Sequence, residues 1–311
     1  MPDTFFTTSP HWRWYIVLYF FIGGIAGGAF VIASLLQLFG RPEDRPVIRH
    51  GYDIAFVGTV VSGLLLTVDL TQPLRFWHML IRSNVGLPMF KPWSPMSVGA
   101  WGLLLFGLFA TLAALGTAAR EERWQWRPLR WRPVRALGSG VAARIVAVVG
   151  GLLGFFLAGY TGVLLAVTNR PVWGDTHWLG VLFLISGMST GAATLILVSL
   201  WRRDANAGTL AWLSRFDRNA LVVELLVLVV FIISLGSVAR VLVGWWGFVL
   251  LLSLGAGMVL PLFLGHGQSP NLSRLIRPAT LVVVGGLLLR MAIVFSSETF
   301  SRGGGTGIGV P

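Results

Sequence analysis

The sequence predicts an all-α membrane protein of eight transmembrane helices, arranged as two four-helix units with both termini outside. Three observations carry that expectation. The 311-residue chain is 55% hydrophobic and only 12% charged, about half the charge of a soluble domain. Its apolar residues fall into runs close to the roughly 20 residues that a helix needs to cross a bilayer. Its basic residues collect between those runs and mostly on one side, which is how membrane topology is set. Lipid offers no partner to an open backbone, so the runs are read as helices.

The runs follow in order. Span one covers residues 14–39 and carries the small-residue stretch GGIAGG. Span two, 54–70, is short and ends beside a carboxylate, Asp69. Span three, 96–119, follows the turn-forming PWSP. Spans four and five cover 145–168 and 178–201, separated by the Pro- and Trp-rich TNRPVWGDTHW. Spans six and seven, 220–243 and 245–265, are nearly continuous and too long together for one crossing, so a tight turn is expected at Gly244. Span eight, 278–295, contains Arg290.

Sixteen basic residues lie at one end of this arrangement, the B end, and seven at the other, the A end. The positive-inside rule makes the B end cytoplasmic and the A end outer, in a bacterial or archaeal inner membrane. The residues before span one include Asp3 and lack a basic n-region, so no cleavable signal peptide is expected. A net charge of +12 raises nucleic acid as a partner. The arginines sit in loops between apolar runs, so a membrane-lipid role for them is preferred. FFIGGIAGGAF (20–30) resembles FLISGMSTGAA (183–193), with Gly24, Gly28 and Ala29 matching Gly187, Gly191 and Ala192 at an offset of 163. The protein is therefore read as one integral membrane domain, with a parallel repeat of 12–168 and 176–298.

The absence of cysteine excludes disulfides, thiol catalysis and any iron–sulfur cluster held by this chain. The five histidines all fall at or beyond span ends, which does not suit a haem held between helices. No metal-ligand spacing occurs. If electrons move here, a diffusible lipid-soluble molecule such as a quinone carries them. Ionisable groups in a bilayer cost about 2.5–3.5 kcal/mol or more each, so each needs a reason. At the A end, LTVDLTQPLRFWHML (66–80) gathers Asp69, Arg75 and His78, and His177 and Arg290 lie toward the same face. Asp69 is either a helix-end acid paired with Arg75 or Arg290, or a proton acceptor tuned by them. His78 and His177 are interfacial residues or proton relays. Tyr160 either packs or points its hydroxyl at a ligand. Glu224 snorkels or belongs to a proton route.

WRWYIVLYFFIGGIAGGAF (12–30), DLTQPLRFWHML (69–80), SPMSVGAWGLLLFG (94–107), GYTGVLLAVTNRPVW (159–173) and LRMAIVF (289–295) together resemble the NrfD/PsrC family. These are eight-helix membrane subunits of polysulfide-reductase-type and related molybdopterin or multihaem oxidoreductases. The resemblance implies a subunit that binds menaquinone or ubiquinone and has no redox centre of its own. It implies a ferredoxin-like iron–sulfur subunit on the outer face and a catalytic subunit, of molybdopterin type, beyond it. Tyr160 matches a tyrosine that contacts quinone, and Asp69 matches a common acidic position after span two. Arg13, beside Trp14, stands where the best-known members have a histidine at the quinone. An arginine can hold a carbonyl oxygen there but stays charged and is a poor proton acceptor. Arg290 completes the expected quinone-side set. Three rivals remain: a secondary transporter, a proton-conducting subunit without quinone chemistry, and a structural anchor. The gathering of polar groups at one face, rather than at broken helices in mid-membrane, favours the quinone reading.

Overall fold

The computed structural model describes residues 14–70, 72–82, 85–121, 132–168, 170, 172–242, 244–264 and 272–303. Side chains are described within these except at 241–242, 272–273 and 298–303. Arg13 lies outside them.

The apolar runs are helices, and most extend past the hydrophobic stretch. In order they are α1 (Trp14–Phe39), α2 (Arg45–Asp69), α3 (Pro95–Arg120), the short α4 (Arg132–Leu137), α5 (Gly140–Ala166), α6 (Leu179–Arg202) and α7 (Ala207–Ser234). The seventh expected crossing is a composite of α8 (Trp245–Leu252), a π-helical stretch (Ser253–Val259) and α9 (Leu260–Leu264), and α10 (Ile276–Gly303) is the last helix. Among the described residues, seven helical segments are long and apolar enough to cross a membrane, so this is a multi-pass all-α membrane protein. The remaining long helix, α7, is 28 residues long and carries Asp217, Arg218 and Glu224.

Local chemistry explains the ends. Pro95 opens α3, with the Ser94 hydroxyl accepting from the Ser97 N–H, and Asn206 caps α7 by accepting from the Gly208 N–H. α7 begins well before the expected 220, because the mixed segment 207–219, with Leu210 and Leu213 buried, continues the helix instead of ending it. The reversal after α7 is broader than a tight turn at Gly244. The helix stops at Ser234, Gly236 takes a left-handed conformation (φ 53°), and a 3-10 stretch runs from Gly236 to Leu242.

α1, α6 and α10 are the most enclosed helices. α1 packs along α2, α5 and α6, and α6 packs on α7 and α10. The two repeat motifs meet at the centre: Gly24 and Gly28 of α1 lie directly on Gly187 and Gly191 of α6. A Cβ on Gly191 would come within 2.7 Å of the Ala29 nitrogen, and one on Gly28 would strike the Gly187 carbonyl. Small residues at four-residue spacing thus bring two backbones into contact.

Each end is tied by polar contacts. At the B end Arg49 of α2 bridges Glu121 (3.3 Å) and Asp204, and His50 Nε2 lies 3.0 Å from Asp204. The Thr209 hydroxyl donates to Asp44 (2.6 Å). At the A end the Trp173 indole N–H donates to the Ile293 carbonyl of α10 at 2.9 Å. Val172 sits at φ 72°, which costs a β-branched residue energy, and its N–H donates to Asp175 at 2.9 Å.

Gly28→Leu is expected to abolish recovery of monodisperse protein from detergent extracts, because neither backbone can yield. Gly255→Leu, where a side chain meets nothing within 4 Å, is expected to leave the yield within about twofold, since exposed substitutions typically shift stability by under about 0.5 kcal/mol. Fluorescence-detected size exclusion reads both.

Candidate functional site

A cavity of about 840 Å³ lies between α1, α2, α3 and α5, within the roughly 300–1,000 Å³ range of sites for organic ligands. Its walls are apolar, built from residues such as Phe56, Leu66, Leu103, Leu108 and Leu164. It reaches Thr111, 16 residues into α3, or about 24 Å of helix. Three polar side chains of the lining carry chemistry: Asp69, Tyr160 and Tyr19. All three stand near the A end, at the last residue of α2, six residues before the end of α5 and five residues after the start of α1. Thr59 and Thr67 also line the space, but their hydroxyls donate to carbonyls one turn back, Ala55 and Gly63.

Tyr160 is fixed in place. Its hydroxyl donates to the Pro95 carbonyl at 2.5 Å, and its ring stacks on Phe156 with centroids 5.4 Å apart. The ring lies over Gly99 so closely that any side chain there would collide with it. The hydroxyl oxygen keeps a lone pair with which it can accept a hydrogen bond.

A 3-10 turn, Pro73–Met79, closes the A end. In such a helix residues three apart share a face. Phe76 and Met79 line the cavity. Arg75 and His78 occupy the opposite face: Arg75 is exposed, and His78 stacks on Trp77 (3.7 Å) with Nδ1 3.1 Å from the Arg75 carbonyl. Neither lines the cavity. His177 is exposed in the α5–α6 connection. Trp14 is 53% exposed at the start of α1 and packs edge-on against Phe295. Of the residues expected from sequence, the cavity brings Asp69 and Tyr160 together. It adds Tyr19 and Gly99, which sequence reasoning missed. A tyrosine five residues into a strongly apolar helix was the available signal for the first.

Arg290 is placed elsewhere than beside Asp69. It is fully buried on the α6/α10 side of α1. Its guanidinium donates to the Phe20 carbonyl (3.2 Å), the Gly286 carbonyl (2.8 Å) and the Ser186 hydroxyl (3.1 Å). Phe183 and Phe21 offer ring faces 5.3 and 5.8 Å away. Ser186 and Arg290 lie near Glu224 of α7, which is also buried. One turn further along α6, the Ser189 hydroxyl donates to the buried Asp217 at 2.7 Å. A buried row of charge therefore runs beside α6, separated from the cavity by α1. Among the described residues, no group of three or more metal-ligating side chains occurs.

Comparison with known proteins gives a consistent picture. The family profile described as "Polysulphide reductase, NrfD" matches residues 3–301. One component of the polysulfide reductase of Wolinella succinogenes is 27% identical over 309 residues, covering 93% of this chain and 95% of the relative. Protein NrfD of Escherichia coli K12 is 28% identical, covering 95% and 98%. A selenate reductase component of Mesobacillus selenatarsenatis is 21% identical over 62% of this chain and 48% of its own length.

Arg290→Met is expected to lower stability by on the order of 3 kcal/mol, because it strips the buried Ser186 hydroxyl and two main-chain carbonyls of their donor and removes the positive charge near the buried Glu224. Combining it with Glu224→Gln should recover part of that loss, with a coupling above about 0.5 kcal/mol. Thermal unfolding of the four proteins in detergent measures the cycle.

Proposed function

Because the chain belongs to the polysulphide reductase NrfD family, we propose that it is the quinone-binding membrane subunit of a multi-subunit oxidoreductase. It exchanges electrons between the menaquinone or ubiquinone pool and an iron–sulfur partner on the outer face. One observation carries the reading: an apolar cavity of isoprenoid size ends, at the A end, on a carboxylate and two tyrosines. In this reading the polypeptide crosses the membrane eight times, α7 included, with both termini outside and the arginine-rich B end in the cytoplasm of a bacterial or archaeal cell. The repeat helices α1 and α6 form the axis between two four-helix units.

When bound, a quinol supplies two electrons and two protons on oxidation. The protein's own groups do the rest. Tyr160 accepts from a quinol hydroxyl: its own O–H is donated to the Pro95 carbonyl, and its oxygen keeps a lone pair for that donor. Asp69 takes a proton at a carboxylate oxygen, at a helix end next to water. His78 and His177, on the outer surface, pass protons onward. Phe76 and Met79 give the polar end an apolar wall on the A side. Trp14, which begins span one, and Arg13 just before it stand at the same end in sequence.

The partner assignment follows the relatives, whose names make them single components of polysulfide and selenate reductases. Catalysis on the terminal substrate then belongs to a further subunit, of molybdopterin type. Exposed Leu74 (89%) and Trp93 (79%) give the A end apolar surface for docking.

A second reading has its own observation. Asp217 and Glu224 lie seven residues apart, on one face of α7, about 15 and 26 Å of helix from its B end. With Ser186, Ser189 and Arg290 they form a polar row suited to carrying protons through the α6–α7–α10 half. On this reading electron transfer is coupled to proton movement, or the protein conducts protons without a quinone.

In the purified complex, Asp69→Asn is expected to cut quinol-linked turnover at least about 100-fold, the general-base contribution. Tyr160→Phe is expected to cut it about tenfold, one hydrogen bond's worth. Both complexes should remain assembled, and full turnover in both would overturn the site. Glu224→Gln in proteoliposomes should keep electron transfer while abolishing proton uptake from the B side, if the second reading holds alongside the first. Unchanged uptake removes it.

A further inference from the structure

A second cavity, of about 140 Å³, opens at the B end where α1, α2, α3, α4 and α5 meet. We propose that it holds the phosphate of an anionic phospholipid from the B-side leaflet. Two arginines line it, Arg45 at the first residue of α2 and Arg120 at the last of α3. The carboxylate of the lining, Glu121, is already bridged to Arg49 at 3.3 Å. Arg120 donates to the Gly138 carbonyl (3.3 Å), an uncharged partner. Arg45 makes no ion pair among the described residues. Among those residues, two guanidiniums thus share a crevice without a counter-charge of their own.

The crevice is preformed. α4 is locked onto α3, since side chains at Gly116 or Gly138 would strike the other's backbone. Gln37 is held by its amide on the Ala143 carbonyl (2.9 Å) and by the Tyr52 hydroxyl (2.6 Å). Guanidiniums prefer phosphate, which they bind in a planar fork. The volume is well under the roughly 300 Å³ at which pockets begin to enclose organic ligands, so a phosphate group fits and a nucleotide does not. A lipid is favoured over a free anion because the same crevice has apolar walls, Leu137 and Val146 among them. It also adjoins the outer surface of α5, where Val141 and Ile145 are exposed. Basic pockets between helices at headgroup depth bind anionic headgroups in this way. The site is remote from the A-end cavity and stands or falls independently of the quinone reading, because it requires only that the protein span the membrane.

The test uses the full-length protein, delipidated in detergent and titrated with phosphatidylglycerol, phosphatidylcholine or inorganic phosphate. Native mass spectrometry reads the lipid retained. Wild type is expected to retain phosphatidylglycerol at least fivefold over phosphatidylcholine, with inorganic phosphate unable to displace it. The Arg45→Gln/Arg120→Gln variant should lose that preference, and Arg202→Gln/Arg203→Gln, at the same end but outside the crevice, should keep it. Equal preference in the crevice variant, or full displacement by inorganic phosphate, overturns the proposal. Should the variant not fold, phosphatidylglycerol with a photoreactive acyl chain on wild type decides. Labelling of the Leu137 and Val146 segments supports the site, and labelling only elsewhere refutes it.

Discussion

Where α1 crosses α6, four glycines let two helices approach until backbone meets backbone, and the rest of the molecule is arranged about that contact. One side of α1 presents Tyr19 to the large cavity. The other offers the Phe20 carbonyl to Arg290. Two neighbouring residues therefore serve two different interiors. Close approach also explains how a guanidinium survives there. In hydrocarbon it would be costly, but three acceptors and two aromatic faces surround it.

The two interiors differ in kind. The cavity beside α2, α3 and α5 is apolar along its length and polar only near one end, which suits an amphipathic guest that enters sideways from lipid. The row beside α6, α7 and α10 is built of buried ionisable groups and hydroxyls, which suits ions of hydrogen rather than molecules. The π-helical stretch Ser253–Val259 sits next to that row: Ser253 donates to the Gly285 carbonyl at 2.8 Å, one residue from the carbonyl that receives Arg290. Such insertions tend to mark functional positions.

Much of this was legible in the sequence. Apolar runs are long and the bilayer's thickness is fixed, so α1 was located to the residue and most other spans to within a few residues. α2 and α5 were misjudged at their B ends, α7 at both ends and α10 at its A end, because hydropathy sees where lipid starts and not where helical hydrogen bonding stops. The repeat was legible as matching glycines, but their direct apposition was not. Of the site, Asp69 and Tyr160 came from residue type and resemblance. Arg75 and His78 were grouped with Asp69 by nearness along the sequence, and the three-residue period of the 3-10 turn turns them outward. Arg290 was referred to the wrong neighbour, since depth along a helix says nothing about which way it faces.

The seam between α1 and α6 has a consequence for synthesis. Gly28 leaves the ribosome 163 residues before Gly191. At about 5–20 residues per second, the first helix waits roughly 8–30 s in lipid before the helix that matches its glycines arrives. During that interval its bare glycine face is a sticky surface open to any passing helix, including the same segment of another nascent polypeptide. The order of synthesis therefore leaves the glycines of the first helix without their matching backbone until most of the chain has been made.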